Sequence, residues 1–194
     1  MIITLDLSTK IIGISILDQN KIYLNYIDFS KIEELINKND YAIQELIKII
    51  NNRSQEIIFI FESYLKRFAS GKSSIDTILK LARFNGMFTY GLYKQFPTAK
   101  FIEYNVLTAR KLAGFKLNKI DKMNGKDTKK QILSFIQDYV NTESKIANKE
   151  ILFDLKKAIK NKPPSPKDYC FDIADSLILL RAFLKINTNY KHEI

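Results

Sequence analysis

The sequence predicts an α/β protein built on a five-stranded mixed sheet, three antiparallel strands followed by two parallel ones, flanked by helices. Three observations predict it. Short apolar runs separated by turns of two or three residues open the chain; a run without alternation, "IIFIFES", lies between two helical patterns; and a further strand follows the second of these.

"IITLDLS" reads as the first strand, "IIGISILD" as the second after a turn at Thr9 and Lys10, and "KIYLNYIDF" as the third after "DQN". From Ser30 to Asn51 the residues Ile32, Leu35, Ile36, Ile43, Leu46, Ile47 and Ile50 recur at helical spacing, with an expected break near "NKND". "EIIFIFES" then reads as a central strand covered on both faces. The next helix, about Ser74 to Tyr93, is apolar nearly all round, with Gly86 and Gly91 suited to close approach of a neighbour and Phe84, Phe88 and Tyr90 read as packing residues. "KFIEYN" supplies the fifth strand. There follow a short helix near Leu107 to Ala113, a loop rich in Lys and Asn, a helix from Thr128 to Val140, and a basic helix around Glu150 to Ile159. After the stiff breaker "KPPSPKD" comes a last helix, "YCFDIADSLILLRAFLK", with Asp168 read as its N-cap. This order matches the ribonuclease H-like arrangement. A length of 194 residues fits one such domain, residues 1–194, with a basic helical insertion at about 141–166.

Composition narrows the chemistry. Cys170 is the only cysteine and His192 the only histidine, so neither a Cys/His zinc cluster nor a Ser-His-Asp triad is available. No apolar stretch reaches the roughly 18 residues of a membrane span, and "MIITLDLST" lacks the form of a secretory signal. The expectation is a cytoplasmic protein with no membrane partner. The net charge is +10, and between Thr108 and Lys167 fifteen Lys and Arg face six Asp and Glu, placing +9 in that stretch. Such asymmetry points to nucleic acid. Arg110, Lys111, Lys116, Lys119, Lys122, Lys126, Lys129 and Lys130 are candidate phosphate contacts, with Lys66, Arg67 and Lys72 after Glu62; for any one of them a solvated helix face is the alternative.

Four acids interrupt apolar context: Asp6 in the first strand, Glu62 at the end of the fourth, and Asp172 and Asp175 in the last helix. A buried carboxylate is costly unless paired, hydrogen-bonded or metal-bound. Residues three apart share a helix face, so Asp172 and Asp175 can meet Asp6 and Glu62 if the first and fourth strands are neighbours. Taken singly, Asp6 is also explained by a turn with Ser8 and Thr9, Glu62 by an exposed strand end, and the helical pair by the favourable dipole near a helix N-terminus. Taken together, four carboxylates suit two Mg²⁺ ions, for which Mn²⁺ substitutes, in hydrolysis of a phosphodiester.

The motifs resemble those of Holliday-junction resolvases of the RuvC type, in their viral or phage branch. "LDLSTKIIG" is similar to the family's opening, an acid followed seven positions later by a glycine, here Asp6 and Gly13; "FIFES" to its second acid; "ILKLARFNG" to the helix that follows; "GKDTKKQIL" to a lysine-containing helix start; and "DIADSL" to its terminal acids. Bacterial members usually carry Pro-Gly where Leu7 and Ser8 stand, and alanine where Ser176 stands.

The resemblance implies a metal-dependent endonuclease of DNA recombination and repair that cuts four-way DNA junctions and leaves 5′-phosphate ends. Its catalytic and metal-holding residues would be Asp6, Glu62, Asp172 and Asp175. Lys129 would contact DNA, and where the family places a stacking aromatic Leu65 is nearest by count, with Tyr64 and Phe68 flanking it. It implies a homodimer through the helix at 74–93, two sites related by a two-fold axis matching a junction's near two-fold symmetry. Three alternatives stay open on sequence alone: a broader nuclease of branched DNA on the same fold, a non-catalytic junction-binding protein, and an actin-like nucleotide kinase, which needs two lobes.

Overall fold

Hydrogen bonding between short, strongly apolar segments organises the first third of the chain. In the computed structural model, which describes residues 1–50, 56–63, 74–123, 127–157 and 164–187 (backbone only at 121 and 122), β1 (Ile2–Leu7) pairs antiparallel with β2 (Ile11–Asp18), and β2 with β3 (Lys21–Asp28). The two-residue turn between β2 and β3 places Gln19 and Asn20 at φ 43° and 68°, the left-handed pair that matches the twist of a hairpin. Helix α1 (Leu35–Ile50) returns the chain so that β4 (Ile58–Glu62) lies parallel to β1; helix α2 (Ile75–Gln95) does the same for β5 (Lys100–Tyr104). The sheet order is β3-β2-β1-β4-β5. Helices α3 (Val106–Ala113), α4 (Lys119–Met123) and α5 (Thr128–Thr142), a 3-10 turn at Lys149–Phe153 and α6 (Asp168–Ile186) complete it. The five-stranded mixed sheet is the one the sequence predicts.

Alternation along the strands divides the core in two. Ile3, Leu5, Ile12, Ile14, Phe59 and Phe61 pack with Leu46 of α1 and Phe84 and Phe88 of α2; Ile2, Leu17, Leu24, Ile58 and Ile60 pack with α6, backed by α3 and α5. β4 shows no alternation in sequence because both its faces are covered. α6 is apolar nearly all round for the same reason. Where it crosses the sheet the contact is polar and satisfied: Thr4 Oγ1 donates to the Ser176 carbonyl at 2.8 Å, and the Ser15 and Ser176 hydroxyls are 2.8 Å apart. Among the described residues no helix is long and apolar enough to cross a membrane.

Several expectations are corrected. α1 runs unbroken through "NKND", because Lys38 turns inward, donates from Nζ to the Thr9 carbonyl at 2.8 Å and lies 5.7 Å from the Phe29 ring centre. The loop after α3 contains the short helix α4. Gly91 does admit a neighbour, since a Cβ there would stand 2.1 Å from Ile43 Cδ1, but Gly86 has nothing within 4 Å. Phe84 and Phe88 are fully buried, whereas Tyr90 is 63% exposed and packs no core. Asp168 is the first residue of α6 rather than its cap, and Lys156 pairs with it at 2.9 Å.

Of the basic helix expected at 150–159, the described residues to 157 form only a 3-10 turn ending at Phe153, and 158 and 159 lie outside the described residues. Beyond it the backbone pairs across to the proline-rich segment instead of continuing a helix. Lys156 N–H donates to the Ser165 carbonyl at 2.7 Å, Lys167 N–H to the Asp154 carbonyl at 3.2 Å, and Leu155 bridges Pro166. The segment before the turn covers the outer edge of β3. Ile22 N–H donates to the Lys145 carbonyl and Ala147 N–H to the Ile22 carbonyl, each at 2.9 Å. The Asn148 side chain then substitutes for a strand, accepting from Leu24 N–H at 2.9 Å and donating to the Leu24 carbonyl at 2.7 Å. Asn148→Ala is expected to lower stability by about 2 kcal/mol, the cost of unpairing two groups of a buried residue, while Lys149→Ala leaves it unchanged; chemical denaturation measures both.

Candidate metal centre

Sheet register sets the first two acids side by side. Asp6 stands opposite Gly13 of β2, and on its other side the ladder to β4 pairs Leu5 with Phe61, so one step further Asp6 lies beside Glu62. Alternation directs both toward the face covered by α6, the face of Thr4, Ile58 and Ile60. Ser8 turns back on Ile11, donating to its carbonyl at 2.6 Å and accepting from its N–H at 3.0 Å. The turn is thus closed by Ser8, and Asp6 is not needed for it.

α6 delivers the other pair. It reaches the sheet over Gly13, where a Cβ would stand 2.1 Å from the Asp172 carbonyl carbon and oxygen; only a glycine lets the helix backbone descend that far. Asp172, Asp175 and Ser176 share the face turned to β1 and β2. Asp172 and Asp175 are only 8% and 7% exposed, while Asp6 and Glu62 keep partial access to solvent.

The resulting carboxyl groups disturb one another. Burial holds Asp6 well above the usual carboxylate range, and the charges of Asp175, Glu62 and Asp172 push it further, with Lys129 opposing. Glu62 is raised to about 7, by burial and then by Asp175, against the pull of Arg110 and Lys129. Asp172 is raised to about 6 by burial and by Asp175, countered by Lys129 and by a hydrogen bond with Asp6. Asp175 is raised by burial despite Arg110 and Lys129. All four titrate as one set.

Two cations face the set. Lys129, in the first turn of α5 behind an Asp127 N-cap, acts on all four acids while itself exposed. Arg110 is held on α3, which is capped by Asn105 and ends in a left-handed Gly114, and its Nη2 lies 3.3 Å from Asp175 Oδ1. Sequence reasoning grouped Arg110 with the outward phosphate contacts; the structure turns it inward. The only sequence signal for this is the pair of small residues, Ala109 and Ala113, that seats α3 against α6. Lys111, Lys116, Lys119 and Lys130 are exposed. Lys66, Arg67, Phe68, Lys72 and Lys126, with Tyr64 and Leu65, lie outside the described residues, as does the Lys122 side chain.

The donor set, four carboxyl groups faced among the described residues by Lys129 and Arg110, offers oxygen ligands alone and suits a hard divalent cation. Asp172 hydrogen-bonds with Asp6 and Asp175 faces Arg110, and among the described residues no three His, Cys, Asp or Glu already stand as a ligating group. Taking up a cation would require side-chain rotation and loss of protons, and its affinity would then depend on pH.

This is a ribonuclease H-like fold of the kind found in Holliday junction resolvases. The Thermus thermophilus RuvC in complex with a Holliday junction substrate is similar over 97% of this chain and 94% of that one, with a TM-score of 0.58 at 9% identity. The yeast mitochondrial Holliday junction resolvase Ydc2 is similar over 98% of this chain and 80% of that one, at 0.58 and 16% identity. A further T. thermophilus RuvC structure gives 0.54 at 12% identity over 98% and 96%. At these identities the likeness is one of fold. No protein-family model and no curated protein matches the sequence.

Proposed function

We propose that this protein is a divalent-metal-dependent endonuclease of branched DNA that cuts four-way junctions and leaves 5′-phosphate ends. The observation that carries the reading is the convergence of Asp6, Glu62, Asp172 and Asp175, from two strands and a helix, at one end of a sheet whose fold resembles a resolvase seen with a Holliday junction. These four would hold two Mg²⁺ ions, or Mn²⁺ in their place, which when bound supply an activated water and neutralise charge developing at phosphorus. Lys129 would fix a phosphate near the acids, and Arg110 would orient Asp175. The exposed lysines Lys111, Lys116, Lys119 and Lys130 would bind the phosphodiester backbone without reading bases. Membership of the viral or phage branch rests on the motif resemblance, and action in the cytoplasm, that of the host if viral, remains the sequence expectation.

Incubation of labelled four-way junction, three-way branch and plain duplex with Mg²⁺ tests this. Paired symmetric nicks in the junction are expected, with little cutting of duplex. Equal cutting of the three-way branch would mark a general debranching nuclease. Junction binding without cutting in either Mg²⁺ or Mn²⁺ would leave a binding protein only.

A homodimer fits the exposed side of α2. Ile75, Leu79, Ala82, Gly86, Tyr90 and Tyr93 succeed one another at helical spacing, and Ile75, Leu79, Tyr90 and Tyr93 are 53–67% exposed. The open space at Gly86, mid-stripe, suits a crossing with a second α2. Leu79→Glu with Tyr90→Glu is expected to halve the mass seen by light scattering with little change in melting temperature.

A further inference from the structure

The segment from Lys145 to Lys167 is not used by the site described above. Its described residues, 145–157 and 164–167, follow a definite path. Lys145 and Ala147 pair with Ile22, Asn148 with Leu24, and the 3-10 turn carries the chain on to Asp154. β3 runs alongside in the same direction, and its register places Tyr26 opposite Gly13, which is opposite Asp6. The segment thus climbs the edge of β3 from the far end of the sheet to the end that carries the acids.

At that end it is pinned. The Tyr26 and Tyr169 rings stack with centres 4.0 Å apart and 6° between planes; the Tyr169 hydroxyl donates to Asp154, and Lys167 Nζ lies 2.8 Å from Asp154 Oδ2. From this base leave two short extended stretches, 154–157 and 164–167, joined by the Leu155 bridge to Pro166. Tyr26 is two strands from Asp6, about 10 Å at ordinary strand spacing, or about three base pairs of duplex.

The stretch at 154–157 is basic and open. Its one acid, Asp154, is consumed by Lys167 and Tyr169, leaving Lys156 and Lys157 exposed beside Leu155, which is 49% exposed. Lys156 touches Asp168 at 2.9 Å, but both side chains are largely solvated, and such a pair is weak enough to yield to a phosphate.

We infer that residues 154–157 form a backbone clamp for nucleic acid: Lys156 and Lys157, held at the acid end of the sheet beside β3, bind phosphates of the duplex about three or more base pairs from the position at the acids. The inference rests on the nuclease reading for its substrate. It assigns the excursion a second contact on the side of the site opposite β4 and β5.

Its test is the salt dependence of junction binding, read by fluorescence anisotropy without divalent ions, for wild type and Lys156→Ala/Lys157→Ala. Each lost phosphate contact lowers the slope of log affinity against log salt by about 0.9, so a decrease of about two is expected, with affinity about three- to tenfold weaker at moderate salt. Lys21→Ala/Lys48→Ala, altered outside the excursion, should keep the wild-type slope, and both variants should melt like wild type. An unchanged slope in the 156/157 variant, with wild type binding and cutting junctions, overturns the clamp and leaves the nuclease reading standing. If wild type binds no branched DNA, the nuclease reading fails and the clamp with it.

Discussion

Gly13→Ala is expected to lower the melting temperature by about 6–12 °C, corresponding to about 3 kcal/mol of overpacking, and to abolish cutting. The added Cβ would stand 2.1 Å from two backbone atoms of Asp172 and 2.5 Å from Ile173 N. A side chain can rotate out of such a clash, but a helix backbone cannot. α6 must lift, which strains the Thr4–Ser176 and Ser15–Ser176 contacts and separates Asp172 and Asp175 from Asp6. Thermal melting with a junction-cutting assay on the same preparation checks both halves. A variant that melts like wild type would show that α6 does not descend onto β2 as described.

Glu62→Gln and Asp6→Asn are expected to reduce cutting by about 1,000-fold, equivalent to about 4 kcal/mol of barrier, with junction binding retained. Their effect on stability has the opposite sign. An acid whose pKa is raised by folding supports the folded state while protonated, and that support is lost as pH rises through the folded-state value. Here the values are about 6 for Asp172 and about 7 for Glu62, with Asp6 also raised. Without divalent ions, Asp6→Asn should therefore melt close to wild type at pH 5 and about 4–8 °C above it at pH 8, for about 2 kcal/mol of relieved repulsion and desolvation. Cutting by wild type should climb over the same range as protons leave the acids. A variant that melts below wild type at pH 8 would show that the acids are not in conflict.

The acids and the sheet were legible because they obey local rules. An acid in an unbroken apolar run, as at Asp6 or Glu62, has few explanations, and the three-residue spacing of Asp172 and Asp175 already places them on one face. What escaped depends on single side chains reaching across the fold. "NKND" looks like a break until Lys38 finds the Thr9 carbonyl. Residues 143–157 look like loop and helix because Asn148 supplies strand-like hydrogen bonds from its side chain, leaving no periodic trace. Arg110 reads like its lysine neighbours, and only its contact with Asp175 distinguishes it. Gly13 and Gly86 illustrate the limit: identical in sequence, one is fixed by a helix backbone and the other faces open space.

The cluster joins the sixth residue to the 172nd and 175th, with Thr4 gripping Ser176 across nearly the whole chain. Contacts so distant in sequence form late, after the entropy of closing a very large loop has been met. During synthesis β1–β5 can emerge and pair while both helical acids are still inside the ribosome. A nascent chain accordingly carries Asp6 and Glu62 without their helical partners, and the four-carboxylate cluster is completed only when the final helix docks.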